Sequence, residues 1–140
     1  MENRRDRAFT LIEMMAVVVI IAILAAVIAP KFFGQVGKAQ QTRVKHDIET
    51  LKQAITLYRF DTGRLPEELR DLVKEPDNGK GWNGPYVEKK GFRDPWDNNY
   101  EYRQPGFDDR EFDIYSYGQD GKEGGEGQDL DITSWEGEEE

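Results

Sequence analysis

From Phe9 to Ala29 the chain is apolar on every side, broken only by Thr10 and Glu13. A helix needs roughly 20 apolar residues to cross the hydrocarbon core of a bilayer, and this run has that length. The stretch MMAVVVIIAILAAVIA has no polar face, whereas the core helix of a water-soluble domain carries an apolar stripe backed by polar residues. The run reads as a membrane helix. A secretory signal peptide competes with this reading, because MENRRDRA is a short basic start, but a signal has a shorter apolar region ending in a small-residue cleavage site. Here the run passes into Pro30-Lys31-Phe32-Phe33 and a further helical pattern, which predicts that it stays attached.

Ionisable residues inside a membrane segment are rare and costly, so Glu13 needs a reason. It lies near the N-terminal end of the run, and the plain explanation is a carboxylate that reaches the interface or is protonated. The sharper one is a cationic partner. No Lys or Arg stands inside the apolar run, so that partner would come from another chain, from the leader, or from a newly made amino terminus. Arg4, Arg5 and Arg7 hold the N-terminus on the cytoplasmic side by the positive-inside rule.

After Pro30 the apolar residues Val44, Ile48, Leu51, Ile55 and Tyr58 recur at steps of four and three, forming one face. Arg43, Lys45, Asp47, Glu49, Lys52 and Arg59 fall between them, so this part of the helix lies half in water and half against a domain. A helix from Phe9 to about Phe60 would be about 80 Å long, with Pro30, Gly34 and Gly37 as bending points. Asp61-Thr62-Gly63 and Leu65-Pro66 mark its end, and Pro66 is expected in the first turn of a short helix that includes Leu69, Leu72 and Val73. From Gly79 onward helical periodicity vanishes. Two alternating runs, Tyr100 to Arg103 and Glu111 to Tyr117, flank a turn-like QPGFDD and predict an antiparallel hairpin. The fold class is therefore α+β, a long helix packed on a small antiparallel sheet.

Composition limits the function. About 110 residues beyond Ala29 suffice for one small domain. The formal net charge is −9, which argues against nucleic-acid binding, and there is no cysteine. Acidic pairs such as Asp108-Asp109 and Glu67-Glu68 raise the question of carboxylate catalysis. Neighbours on a strand point to opposite faces, the one histidine, His46, sits on the charged side of the helix, and Ser116 and Ser134 lie in no nucleophile motif. No enzyme is expected.

The string A-FTLIE-MM, followed by an apolar run and Pro30, resembles the type IV pilin signature. The resemblance implies a prepilin leader, residues 1–8, cut between Ala8 and Phe9 by a prepilin peptidase, with Ala8 where most members have Gly. Loss of the leader removes three arginines and two acids and leaves a net charge of −10. The mature chain would then comprise a transmembrane and filament-core helix, 9–29, and a periplasmic domain, 30–140, divided into an amphipathic helix 30–60 and an α/β head 61–140. Glu13 would serve filament assembly.

Beyond the N-terminus, YRFDTGRLP, GWNGPYV, DPWDNNYEY and FDIYSYGQDGKEGGEGQDLDI resemble the major pseudopilins of type II secretion systems more than fibre-forming pilins. Fibre pilins usually close their C-terminal loop with a disulfide, which this chain cannot form. The resemblance implies a pilin-like fold with a C-terminal calcium loop. It also implies a homopolymer joined by minor pseudopilins, an inner-membrane secretion platform, and a pseudopilus that exports folded proteins. The protein would be a single-pass inner-membrane protein whose domain and assembled filament are periplasmic. A structural fibre pilin or a minor pseudopilin is the alternative, and a membrane-anchored calcium-dependent hydrolase is a more distant one.

Tyr117 to Asp131 carries five glycines and the acids Asp120, Glu123, Glu126, Asp129 and Asp131, a composition that leaves a loop disordered without help. Calcium takes roughly six to eight oxygen ligands from carboxylates and carbonyls, and glycines let a backbone wrap around it. Lys122 and Gly124 stand where an EF-hand needs oxygen-bearing side chains, so this is not that motif. From composition alone, a solvated acidic loop is the reading to be preferred. The pseudopilin resemblance implies Asp120 as a ligand through SYGQDG, then Asp129 and Asp131, with the carbonyls of Tyr117, Lys122 and Gly125 as further candidates. Glu123 and Glu126 would face solvent, and Trp135 would pack the returning chain onto the domain.

Overall fold

The computed structural model describes residues 9–135, and of residues 29–33 the backbone alone. It divides into two compact units, Met1–Val36 and Gly37–Glu140. In the first, helix α1 begins at Leu11, and its backbone stays helical through Pro30. The span Leu11–Ile28 is long and apolar enough to cross a membrane, and none of it is buried within the chain.

In the second unit α1 continues to Thr62. The face read from the sequence is the one the domain covers, since Val44, Ile48, Leu51, Ile55 and Tyr58 are all buried, and Ala54 joins them. Arg43, Lys45, Glu49 and Arg59 are exposed, as is His46. Gly63, at φ +75, donates its N–H to the Arg59 carbonyl at 2.8 Å, closing the last turn in the left-handed conformation that suits glycine.

The short helix after it differs from expectation. It is a 3₁₀ turn, Leu69–Leu72, and Pro66 lies outside it. The buried Asp71 carboxylate accepts the N–H groups of Glu67 at 3.0 Å and Glu68 at 3.3 Å. With those donors satisfied by a side chain, the turn starts after Glu68 and leaves the Pro66 carbonyl free to accept the Tyr102 hydroxyl at 2.9 Å.

Strand β1, Glu101–Arg103, pairs antiparallel with β2, Asp113–Ser116, in the expected hairpin, both shorter than the alternating runs. A third strand, β3, Ile132–Thr133, pairs with the other edge of β2, giving the order β1-β2-β3. Ile114 and Ile132 turn inward and join Leu69, Leu72 and Tyr100 in one cluster with the buried face of α1. Asp108 and Asp109 sit in the hairpin turn at positive φ, not on a strand. That turn is tied down by Asp113, which accepts the Phe107 N–H at 2.7 Å and Arg110 Nε–H at 2.7 Å. The Arg110 guanidinium lies 4.4 Å over the Trp135 ring, and Trp135 meets Tyr115 edge-on at 6.1 Å, so the returning chain does pack on the sheet.

Candidate functional site

The sequence points to two places, one in each unit. At the start of α1 the Glu13 carboxylate has a local, neutral partner. Its Oε2 accepts the Thr10 N–H at 2.7 Å and the Thr10 hydroxyl at 3.0 Å, while Thr10 Oγ1 accepts the Glu13 N–H at 3.3 Å. This reciprocal arrangement is a capping box, which satisfies backbone donors that the first turn of a helix leaves unpaired. It also places negative charge at the positive end of the helix dipole. Within the chain, Thr10 alone holds the Glu13 carboxylate in place, through one of its two oxygens. Phe9 is exposed beside it, and Ala8 lies outside the described residues.

The second place is the loop from Tyr117 to Asp131. It is more structured than its composition implies. The Gln119 N–H donates to the Gln128 carbonyl at 2.9 Å, and residues Gly127–Asp129 form a 3₁₀ turn. The Gln41 side chain on α1 donates to the Gly127 carbonyl. Gly118 is buried at φ +69, with the Asp129 carbonyl close to where a Cβ would stand, and a Cβ on Gly125, at φ +103, would meet the same carbonyl. These glycines are required by close backbone approach, which is how a loop gathers carbonyl oxygens.

The carboxylates are less gathered. Asp120 Oδ1 accepts the Lys122 N–H at 3.1 Å, and Asp131 Oδ2 accepts the Gly124 N–H at 2.9 Å. Among the described residues no three acidic or histidine side chains come together as a metal site. Asp129 lies in the 3₁₀ turn, and Glu123 and Glu126 are exposed. Asp131 Oδ1 is buried without a hydrogen-bond partner, as are Trp96 Nε1 and Thr133 Oγ1. An anionic oxygen buried without a donor is costly, and a cation is one way to satisfy it. Tyr117 packs edge-on against Tyr115 at 5.2 Å, and burial, then the Tyr117 hydroxyl, pushes Tyr115 up to about 12.

Sequence reasoning missed the side chains at the base of this loop. Asp94, Asn98 and Ser116 form a hydrogen-bonded group joining the DPWDNN turn to the end of β2. The signal available was an Asp-Pro followed by two asparagines in a region of turn residues, a pattern that favours side-chain bonds to nearby backbone.

The family model described as "Type II secretion system (T2SS), protein G" matches residues 31–135, and the prokaryotic N-terminal methylation motif matches residues 3–29. The type II secretion system core protein G of Pseudomonas aeruginosa is 42% identical, over 97% of this chain and 99% of that protein. The core protein G of Vibrio cholerae is 40% identical, over 94% of this chain and 93% of that protein. Among solved structures, the major pseudopilin of the type 2 secretion system of enterohaemorrhagic Escherichia coli aligns with a TM-score of 0.58 at 31% identity. That alignment covers 74% of this chain and 92% of the other. With its exposed apolar helix, its amphipathic stem and its three-stranded sheet, the chain belongs to the type II secretion protein G family, the major pseudopilins.

Proposed function

We propose that this pseudopilin acts as a mechanical subunit and not as a catalyst. A prepilin peptidase cuts it between Ala8 and Phe9, and the apolar helix holds it in the inner membrane until it is drawn into a periplasmic homopolymer. A cytoplasmic ATPase drives growth through the inner-membrane platform, minor pseudopilins share the filament, and the growing pseudopilus pushes folded proteins through an outer-membrane channel. The observation that carries this reading is the contrast along one helix. Val44 to Tyr58 bury their apolar face under the domain, whereas Leu11–Ile28 bury nothing within the chain. That much apolar surface is stable only in lipid or against further copies of the same helix. Subunit assembly moves it from the first setting to the second.

Glu13 acquires a role in this transfer. Cleavage leaves a positively charged amine on Phe9, and in apolar surroundings an amine and a carboxylate each cost several kcal/mol unless paired. The carboxylate now bonded to Thr10 can accept a neighbour's amine through its second oxygen, which favours docking and sets register. Mass spectrometry of sheared filaments tests the processing step. The expected chain begins at Phe9, with or without an added methyl, and an intact Met1 in functioning filaments would contradict it.

Calcium in the C-terminal loop is part of the same proposal. Asp131 would hold it through the buried oxygen that lacks a donor, with Asp120, Asp129 and the carbonyls of Tyr117, Lys122 and Gly125 completing the oxygen set. The donor chemistry, hard oxygens on a glycine-rich frame, suits this ion better than a transition metal. When bound, the cation supplies charge neutralisation. The chain's own contribution is the backbone frame, which is bonded across the loop from Gln119 to Gln128 and anchored to α1 by Gln41.

A further inference from the structure

Asp94 is a buried carboxylate, 5% exposed, and its hydrogen bonds come from neutral donors. Its Oδ1 accepts the N–H groups of Trp96 at 3.0 Å and Asn98 at 2.9 Å, and its Oδ2 accepts the Ser116 hydroxyl at 2.7 Å. Ser116 Oγ in turn accepts the Gly118 N–H at 3.2 Å. Asn98 Nδ2 donates to the Gly118 carbonyl at 2.9 Å. Both backbone groups of Gly118 are thus held by side chains that depend on the 94–98 turn. Asn98 reaches further still, since its Oδ1 lies 3.1 Å from where a Cβ on Gly121 would stand. One asparagine therefore bonds the chain just before Gln119 and Asp120 and lies against it just after them, at two glycines that both have positive φ.

We propose that Asn98, oriented by Asp94, is a positioning residue for the 117–131 loop, fixing the path of the chain into Asp120. This rests on the calcium reading for its consequence, though not for the clasp itself. The physical argument is preorganisation. Ordering a glycine-rich segment is entropically expensive, and a loop already bonded at Gly118 spends less of its cation binding energy on that order. Asp94 fixes Asn98 by accepting its backbone N–H and fixes Ser116 by accepting its hydroxyl, so a single buried charge orients both arms. Side chains that orient metal ligands without touching the metal typically change its affinity by about 10- to 100-fold when removed.

The experiment uses the full chain in detergent, comparing wild type with Asn98→Ala and Asp94→Asn. Calcium chloride is titrated by calorimetry, melting is followed with calcium and with chelator, and hydrogen exchange of residues 118–121 is measured in chelator. Asn98→Ala is expected to weaken calcium about 10-fold or more and to speed exchange at residues 118–121. Its melting point in chelator should fall, since the buried Gly118 carbonyl loses its donor. Asp94→Asn should reproduce the exchange pattern if it folds, and Asn98→Ala decides the matter if it does not. Unchanged exchange at 118–121 in Asn98→Ala would overturn the clasp. Faster exchange with unchanged calcium affinity would overturn its role in binding. A wild type that takes up no calcium would sink the calcium reading instead, and the exchange result would still judge the clasp.

Discussion

Gly118→Ala probes the loop frame with a built-in control. Gly118 has φ +69 and Gly127 has φ +62, so both hold nearly the same left-handed backbone. Their surroundings differ. A Cβ on Gly118 would meet the Asp129 carbonyl carbon and the Gln128 oxygen at 2.8 Å, backbone atoms that cannot swing aside, whereas a Cβ on Gly127 meets nothing within 4 Å. The left-handed conformation alone costs a non-glycine residue about 1–2 kcal/mol, which is the expected effect of Gly127→Ala. Gly118→Ala adds the overpacking term of about 1–3 kcal/mol. For a domain of this size about 1 kcal/mol moves the melting point by roughly 4–8 °C, so Gly118→Ala should melt at least about 4 °C below Gly127→Ala. The assay is thermal unfolding of the full chain in detergent, run in chelator so that loss of metal cannot mimic strain. Equal melting points for the two variants would refute the claim that the loop is packed backbone on backbone at Gly118.

Three further outcomes are expected. Glu13→Leu should insert into the membrane, since the run becomes more apolar, yet give few filaments; normal filament yield and secretion would remove the assembly role from Glu13. Asp120→Ala and excess chelator should each lower the melting point of the wild-type fold, with calcium restoring the chelated protein and magnesium, which prefers strict octahedral geometry, restoring it poorly. Stability should fall as pH rises above about 10. Burial, then the Asp47 charge, holds Tyr100 well above its ordinary value of 10.0, and burial does the same for Tyr102. The unfolded tyrosines lose protons first, so the unfolded state binds fewer protons than the folded one and stability is lost upward from that pH. Denaturant midpoints from about pH 9 to 11 that do not move would contradict this.

Regular periodicity was legible in the sequence, and contacts between distant short segments were not. The α1 face could be read because Val44, Ile48, Leu51, Ile55 and Tyr58 repeat with the helical period, and all are buried. The hairpin could be read because two alternating runs flank a turn. Strand β3 is two residues long, too short for any period to show, and it exists because β2 offers it an edge. The 3₁₀ turn defied the Pro66 signal because the buried Asp71 side chain supplies the acceptor that moves its start to Leu69. The composition of the 117–131 loop announced glycines and acids, but not its bonds to Asn98 and Gln41, which lie far away in sequence. At Glu13 the capping bond to Thr10, three residues away, was not legible, because a hydroxyl carries no charge to set against the carboxylate.

The central claim is that this chain builds a secretion pseudopilus, and a deletion strain of its own host tests that claim most directly. The intact chain is returned on a plasmid, and folded exoprotein in the medium is scored alongside twitching motility. The account predicts that secretion is lost on deletion and restored by the chain, with twitching unaffected in both strains. Twitching that depends on the chain while secretion proceeds without it would contradict the account and make the protein a fibre pilin.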